Sequence, residues 1–331
     1  MNETIEHIGT ERTLTRRQLL LWSLGAFSLA ACGKNEDSEL ATPTISPTSS
    51  PTETPTPTET PVPVTPETPD MELVYDFGDI TNEVLQNEVL PAIGLEGKLV
   101  DEDKWFGLEN LQLLRTLQNS FQHVLRVRYP AGSASQTVTK NEGAPVGGAQ
   151  FNVALPSKWD NKERLNLSYS VRFPEHFTFV KGGKLPGFYA GNVYSGQRPP
   201  DGTNGFSTRY MWNREGKGSA YVYSPEIEGH SYDHGIHYGL GNWVFQKGEW
   251  FDMRQQVRLN EPGEDDGRIQ IWMNGKEVLH QQGMRYRGIE NLEFGGVFFS
   301  TFFGGSDNTW ATPIDTHIDF ANFQVDDSFR E

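Results

Sequence analysis

Apolar and polar residues alternate along much of the chain after residue 120, in short runs rich in β-branched and aromatic side chains. Gly, Pro, Asn and Asp separate these runs, and no helical pattern intervenes between them. A two-residue period predicts strands, and many short strands without helices favour antiparallel sheets packed as a sandwich or jelly roll. The predicted strands are HVLRVRYP, GAQFNVALP, LNLSYSVRFP, FSTRYMW, SAYVYS, WFDMRQQVRLN, GRIQIWMNGKEVL, LEFGGVFFSTFF and THIDFANFQV.

The segment from Asp79 to Asn119 has a different pattern. NEVLQNEVLPAIG and LENLQLLRTLQ are compatible with helices, which their Pro and Gly residues keep short. We therefore predict an all-β fold with a few short helices near its N-terminal side. The dipeptide Asn-Gly in WMNGKEV predicts a tight hairpin, because both positions tolerate positive φ. We find no internal repeat and no second folded domain.

One predicted hairpin, residues 206–224, places polar side chains of unusual types on one face. Alternation puts Ser207 and Arg209 on one face of the first strand, and Tyr221 and Tyr223 on one face of the second. The four share a face if Arg209 lies opposite Tyr221, whereas a slip of one residue separates them. The sequence does not fix this register, and an ordinary solvated outer face is the alternative.

The segment KGGKLPGFYAGN precedes this hairpin and contains Lys184. Two glycines before this lysine and a Pro-Gly pair after it indicate close backbone packing, which is unusual around a lysine that only improves solubility. A lysine near an arginine has its pKa lowered by the like charge and can then act as a base. Taken alone, this pattern is weak evidence for function.

The net charge of the predicted β-domain argues against nucleic acid as a partner. Residues 71–331 carry 24 basic and 34 acidic side chains, a net charge of −10, so we expect no nucleic-acid binding. The segment 181–217 is nevertheless basic, because it contains six Lys or Arg residues against two acidic ones. An anionic ligand is therefore compatible with the acidic total.

The first 70 residues predict export and tethering rather than a fold. Arg16 and Arg17 precede a 13-residue, largely apolar run that ends in LAAC, as in the signal and lipobox of a bacterial lipoprotein. TRRQLL also suggests twin-arginine export. Cys32 is the only cysteine, so no disulfide forms within the chain, and we expect this residue to carry a lipid. A plain signal peptide with a chance cysteine is the alternative.

These features predict three regions. Residues 1–32 form the export signal, residues 33–70 form a disordered linker rich in Pro and Thr, and residues 71–331 form the β-domain. We expect an extracytoplasmic monomer held at the membrane by its lipid.

Several motifs, in order, resemble polysaccharide lyase family 14, the alginate-lyase-like family. They span roughly residues 125–325 and are VKGGKLPGFY, FSTRYMW, AYVYSP, VRLNEPGEDDGRIQIWMNGKEV and FFSTFFGGSDNTW, with LRVRYPAGS and GGAQF upstream. The resemblance implies a jelly roll that cleaves uronic-acid polysaccharides by β-elimination. One departure is Asn213, where the family pattern leads us to expect Arg, and it bears on substrate preference.

The resemblance also implies site residues. By motif matching the catalytic set is Lys184, Ser207, Arg209, Tyr221 and Tyr223. Arginine binds a carboxylate through two N–H groups, so Arg209 suits the substrate's acid group. Lys184 is the expected base, alone or with a tyrosine, and one tyrosine is the expected acid, while Ser207 orients the sugar or a tyrosine. The expected substrate-binding residues are Gln150, Lys181, Arg214 and Trp310.

Other functions are compatible with parts of the pattern. A glycoside hydrolase needs two suitably spaced carboxylates, and only GEDDGR and IENLEF offer candidates. A non-catalytic carbohydrate-binding module would use aromatic platforms instead, for which the candidates are Trp212, Tyr238, Trp243 and Trp310.

Three histidines, His230, His234 and His237, lie within eight residues and suggest a metal site. Their glycine-rich context favours a loop at the rim of the groove instead. The elimination scheme needs no metal or other cofactor. The sequence leaves open which polymer is cleaved and whether cleavage is internal or terminal.

Overall fold

Two antiparallel sheets pack face to face in the computed structural model, which describes residues 71–116, 121–193, 200–225 and 234–329. Sheet A has eight strands in the order β1 (Met71–Tyr75), β3 (Leu111–Thr116), β4 (His123–Tyr129), β15 (Thr316–Asp326), β6 (Arg164–Arg172), β11 (Trp250–Arg258), β12 (Gly267–Met273) and β13 (Lys276–Met284). Sheet B has seven, in the order β10 (Ile236–Tyr238), β9 (Gly218–Tyr223), β8 (Gly205–Asn213), β7 (Gly182–Gly191), β14 (Gly296–Thr301), β5 (Ala149–Ala154) and β2 (Lys98–Val100). The predicted all-β sandwich is confirmed.

The core lies between the sheets and follows from the alternation along each strand. On β8, for example, Phe206, Tyr210 and Trp212 are buried in the main apolar cluster, together with Val171 of β6 and Ile271 of β12. Side chains at the intervening positions of β8 therefore point to the opposite face of sheet B, away from sheet A. We call this opposite face the site face.

The predicted Asn-Gly hairpin joins β12 to β13. Asn274 has φ of +52° and Gly275 has φ of +77°, as a turn with two left-handed residues requires. The register of β12 and β13 passes directly through this turn, with Met273 opposite Lys276.

Helices are short and lie mostly near the N-terminal side, as predicted. The segment NEVLQNEVLPAIG contains α1 (Asn82–Val84), a π-helical turn (Leu85–Val89) and α2 (Leu90–Ala92), whereas α3 (Gln136–Glu142) was not predicted. The described part of the chain also contains the 3₁₀ turns Glu102–Lys104, Leu108–Asn110, Ser157–Trp159, Arg214–Gly216 and Asn308–Trp310.

The second predicted helix was wrong. LENLQLLRTLQ contains β3, which pairs with β1 and β4 and buries leucines on both of its faces. The spacing of its leucines also fits a helix. In the structure, however, the backbone N–H and C=O groups of β3 form hydrogen bonds with the strands on either side of it. Strands β1, β2, β7 and β10 were also absent from the prediction.

No helix within the described residues is long and apolar enough to cross a membrane. The predicted signal, the linker and Cys32 lie outside the described residues.

Candidate active site

The register of the β8–β9 hairpin brings the predicted polar residues together. Arg209 lies opposite Tyr221, and Ser207 lies opposite Tyr223, so all four share the site face. This is the register on which their grouping depended, and the alternative slipped register does not occur. On the next strand, His237 of β10 lies opposite Tyr221.

Lys184 joins this group from the other side of β8. It lies on β7 opposite Met211, with its Nζ 2.7 Å from the Met211 sulfur and 3.6 Å from the centre of the Tyr221 ring. No described carboxylate forms a salt bridge with this ammonium. Burial, together with the positive charge of Arg209, holds the pKa of Lys184 well below its usual 10.5. The surroundings therefore favour the neutral amine, which is the form that accepts a proton.

The Pro-Gly pair of β7 creates space for Arg209. The pairing of β7 with β8 is interrupted between Leu185 and Phe188. Gly187 lies in this bulge, where a Cβ atom would come within 2.0 Å of the Thr208 carbonyl oxygen and 2.6 Å of the Arg209 Cα. Only glycine permits so close an approach of the two strands.

Arg209 extends across this bulge toward β14. Its guanidinium carbon lies 4.7 Å from the centre of the Phe298 ring, and Nη1 donates a 3.1 Å hydrogen bond to the Ser300 hydroxyl. The side chain is fully buried, yet its Nε and Nη2 have no hydrogen-bond partner among the described residues. Burial lowers the pKa of Arg209 to about 10, against the opposing effect of Tyr223 and Tyr221, so the group remains charged at neutral pH. A buried cation with unused donors is a site for an anion.

The two phenols form a pair beside this cation. The oxygen atoms of Tyr221 and Tyr223 lie 3.4 Å apart, and each ring centre is 5.9 Å from the guanidinium carbon of Arg209. Gly235 lies against both rings, because a Cβ at this position would come within 2.7 Å of the Tyr223 ring and 3.0 Å of the Tyr221 ring. Burial raises the pKa of Tyr221 above its usual 10. This phenol is thus protonated at neutral pH and available as an acid.

The sequence profile of polysaccharide lyase family 14 matches residues 117–323. The chain belongs to this family. The match confirms the resemblance of the sequence motifs, and it makes the protein a polysaccharide lyase.

Solved structures of alginate lyases share the fold of this chain. The marine PL-14 alginate lyase from Aplysia kurodai is 26% identical over 78% of this chain and 99% of its own, with a TM-score of 0.61. Alginate lyase vAL-1 from Chlorella virus is 23% identical over 64% of this chain and 88% of its own, with a TM-score of 0.54. Alginate lyase Aly36B is 22% identical over 80% of this chain and 99% of its own, with a TM-score of 0.56. No curated protein sequence matches significantly.

Gln150 contacts Ser300 rather than the guanidinium of Arg209. It is the cross-strand partner of Ser300, whose hydroxyl donates to its side-chain oxygen at 3.3 Å. Its amide nitrogen donates to the Lys104 carbonyl at 2.9 Å. Gln150 is therefore connected to Arg209 through Ser300, and its donor capacity is partly used within the protein.

The other predicted binding residues lie away from this group. Lys181 precedes β7, where its ammonium contacts the Thr309 hydroxyl and lies 5.7 Å from the centre of the Trp310 ring. Arg214 is exposed in the turn at the end of the β8–β9 hairpin. Lys181 and Trp310 thus form a separate cluster near one end of β7, and Arg214 has no described contact with Lys184, Arg209 or the two phenols.

Two of the four candidate aromatic platforms belong to the core. Trp212 is fully buried and Trp243 is 3% exposed, and both belong to the core. Tyr238 is partly buried against the core, and the Trp310 ring lies against Gly305. Of the four candidates, only Tyr238 and Trp310 retain partial exposure.

Of the three clustered histidines, His237 lies in a strand rather than in a loop. His237 belongs to β10, and its ring packs on Tyr221 with centres 4.7 Å apart. No group of three His, Cys, Asp or Glu residues within the described chain is arranged to hold a metal, and His230 lies outside the described residues.

Three residues that enclose Lys184 and Arg209 were not predicted as part of the site: Met211, Phe298 and Ser300. The alternation of β8 does place Met211 beside Arg209, which was a usable signal. Phe298 and Ser300 reach the site only through the order of strands in sheet B, which no local pattern reveals.

Proposed function

We propose that this polysaccharide lyase cleaves a uronic-acid polymer, alginate-like or glucuronan-like, by β-elimination at the site face of sheet B. One observation carries the proposal. The buried guanidinium of Arg209 has two nitrogens without a described hydrogen-bond partner. It lies beside a pair of phenols and the amine of Lys184, which forms no salt bridge with a described carboxylate. The name of the Aplysia kurodai relative, an alginate lyase, supports the same substrate class.

The chemistry requires a cation at this position. The proton on C5 of a uronate is adjacent to a carboxylate, and its removal places additional negative charge on that group. Arg209 would neutralise the carboxylate through its free Nε and Nη2, which are suited to two parallel hydrogen bonds. Phe298 and Ser300 fix the orientation of the Arg209 guanidinium before substrate arrives.

The amine and phenols would then move the protons. Lys184, alone or with a tyrosine, takes the C5 proton, and the electrons of that bond form the C4–C5 double bond. The bond between C4 and the glycosidic oxygen breaks, and Tyr221 or Tyr223 protonates the departing oxygen. The products are an unsaturated uronate and a new reducing end, and no water is consumed. Ser207, opposite Tyr223, would orient that phenol or the sugar.

The predicted substrate-binding residues would contribute at other points of the bound polymer. Gln150 would support the carboxylate site through Ser300. Lys181 and Trp310, which lie together, would bind an anionic sugar farther from the reacting one. Arg214 would contact polymer only at the end of the hairpin.

We further propose that the protein is an extracytoplasmic, lipid-anchored monomer. The support is the sequence alone: an Arg-Arg pair, a short apolar run and LAAC ending at Cys32. Metabolic labelling with a fatty-acid analogue tests the anchor in a bacterial host. We expect label and membrane association for the wild type and neither for Cys32→Ser, whereas equal membrane association of both would refute a lipid on Cys32.

The enzymatic proposal is tested by incubating the purified protein with alginate and with glucuronan, and following the ultraviolet absorbance of the unsaturated product. We expect absorbance to rise with at least one polymer. Polymer binding without absorbance would indicate a lectin-like module, and new reducing ends without absorbance would indicate a hydrolase.

A further inference from the structure

His237 lies next to the catalytic group, and the mechanism above does not use it. It is on β10, directly opposite Tyr221, so its side chain shares the site face. Unlike Arg209 and the two tyrosines, this residue is exposed. Strands in a sheet are about 4.8 Å apart, so β10 is about 10 Å from β8 and Arg209. His237 therefore lies beyond the sugar that Arg209 would hold, on the side of β9.

A hydrogen-bonded chain fixes the orientation of the His237 ring. The Asn213 amide nitrogen donates to the Ser219 hydroxyl oxygen at 3.1 Å, and this hydroxyl lies 2.9 Å from Nδ1 of His237. Asn213 is the residue at which the chain departs from the Arg expected of the family. In this lyase, the residue at that position donates a hydrogen bond to Ser219 instead.

The same chain determines which ring nitrogen carries the proton. Ser219 is fully buried, and its oxygen already accepts a hydrogen bond from Asn213. If its hydroxyl hydrogen did not point at Nδ1, it would have no acceptor among the described residues, and an unsatisfied buried donor is costly. The hydroxyl therefore donates to Nδ1, and the proton of the neutral ring lies on Nε2.

The surroundings keep the ring neutral. One side of the ring is covered by Tyr221, and this partial burial, together with the positive charge of Lys184, lowers the pKa of His237 from 6.5 to about 4. At neutral pH the residue thus presents one N–H donor and no charge. Nε2 has no hydrogen-bond partner among the described residues, although the ring itself packs against Tyr221.

We propose that His237 is a substrate-binding residue of this lyase, whose Nε2–H donates a hydrogen bond to an oxygen of the sugar adjoining the one held by Arg209. The inference rests on the proposed function, because it assumes a uronic-acid polymer lying across the strands of sheet B. A neutral donor binds hydroxyl or carboxylate oxygens without adding a positive charge that would disfavour protonation of Lys184. Asn213 and Ser219 are positioning residues for this donor.

Three substitutions separate a binding role from simple packing. His237→Gln places an amide N–H near the position of Nε2. His237→Asn keeps a partner for Ser219 but loses the outer donor, and His237→Phe keeps the ring on Tyr221 but loses both nitrogens. His280→Phe, at an exposed position on β13 of the other sheet, is the matched control.

We expect KM for the cleaved polymer to rise about tenfold in His237→Phe and His237→Asn, as for one lost hydrogen bond. The kcat of these variants should stay close to that of the wild type. His237→Gln and His280→Phe should retain the wild-type KM. An unchanged KM in His237→Phe, or a fall in kcat alone, would overturn the proposal and leave His237 a packing residue for Tyr221.

Binding measured without turnover keeps this test independent of the proposed function. In a Lys184→Ala background, calorimetry with alginate or glucuronan oligosaccharides should show about tenfold weaker binding when His237→Phe is added. If the wild type lacks lyase activity but this difference appears, the proposed function fails and the binding role stands. Equal affinities of Lys184→Ala with and without His237→Phe, or no binding of oligosaccharide by Lys184→Ala, would refute the role of His237.

Discussion

The ammonium of Lys184 lies 3.6 Å from the centre of the Tyr221 ring. Lysine and tyrosine reach this contact from strands on either side of β8, which carries Arg209 between them. The candidate base, the candidate acid and the cation that would bind the substrate carboxylate therefore belong to three adjacent strands. Because rigid strands hold all three groups, their geometry exists before substrate binds.

The ionisation of Lys184 should respond to a charge introduced at Met211, whose sulfur is 2.7 Å from the ammonium. Met211→Glu places a carboxylate there, which stabilises the ammonium and raises the pKa of Lys184. A base is active only when deprotonated, so the rising limb of the pH profile of kcat/KM should move to higher pH by about 1–3 units. Met211→Gln, which is nearly isosteric and neutral, should leave this limb in place. If the pH profile of kcat/KM is the same in Met211→Glu and Met211→Gln, Lys184 is not the base.

The geometry of Arg209 should matter as well as its charge. Arg209→Lys keeps a cation but loses the planar fork that bonds Ser300 and faces the substrate carboxylate. We expect kcat/KM to fall by about 10²–10³-fold, as for the loss of a donor that stabilises the developing negative charge. Arg258→Lys, in a surface ion pair with Asp266 on sheet A, should retain wild-type kinetics. Wild-type activity in Arg209→Lys would show that charge alone suffices.

The bulge at Gly187 should be required for the position of Arg209. A Cβ at this residue meets the Thr208 carbonyl and the Arg209 Cα, so Gly187→Ala should push β8 away from β7. We expect a loss of about 1–3 kcal/mol in the free energy of unfolding. We also expect a fall in kcat on the order of 100-fold from displacement of Arg209.

Thermal denaturation and kinetics of the same samples measure both effects of Gly187→Ala. Gly288→Ala is the matched control, because its Cβ would lie 3.7 Å from the nearest atom. If Gly187→Ala keeps full activity, the close contact of β7 and β8 does not position the guanidinium.

The stability of the fold should depend on the ion pairs that Asp319 forms within sheet A. Asp319 is fully buried, with Arg126 at 2.8 Å and Arg172 at 2.7 Å. Burial alone would raise the pKa of Asp319, but the charge and hydrogen bonds of Arg126, with His317 and Arg172, hold it below its usual 3.8. Asp319→Asn removes the charge and should lower the free energy of unfolding at pH 7 by about 3–5 kcal/mol.

The pH dependence of this loss follows from the sign of the pKa shift. The stabilising charge is fully present above pH 3.8 and is lost as pH falls through the lower pKa of the folded state. Denaturation at several pH values should therefore show the difference between wild type and Asp319→Asn shrinking below about pH 4. Asp327→Asn, whose partner Lys162 is on the surface, should change stability little. A difference that is constant with pH would contradict the account.

Alternation along the chain predicted the sandwich, and it placed Ser207 with Arg209 and Tyr221 with Tyr223, because local period determines which side of a strand a residue occupies. The register that brings the two pairs onto one face was left open by the sequence. Alternation could not order the strands, so the contact of Arg209 with Ser300 across the β7 bulge was not predictable. The leucines of β3 fit a helix equally well until their neighbours in the sheet are known. His237 was recognised only as part of a histidine cluster, because its role depends on pairing with Tyr221 through a strand of three residues.

The most direct test of the central claim compares the wild type with Lys184→Ala on alginate and glucuronan. The ultraviolet absorbance of the unsaturated product and the binding of oligosaccharide should both be measured. We predict that the wild type forms unsaturated ends and that Lys184→Ala forms them about 10³-fold more slowly while it still binds. Equal rates of absorbance increase in the two proteins would contradict the assignment of Lys184, and polymer binding by the wild type without any absorbance would contradict elimination itself.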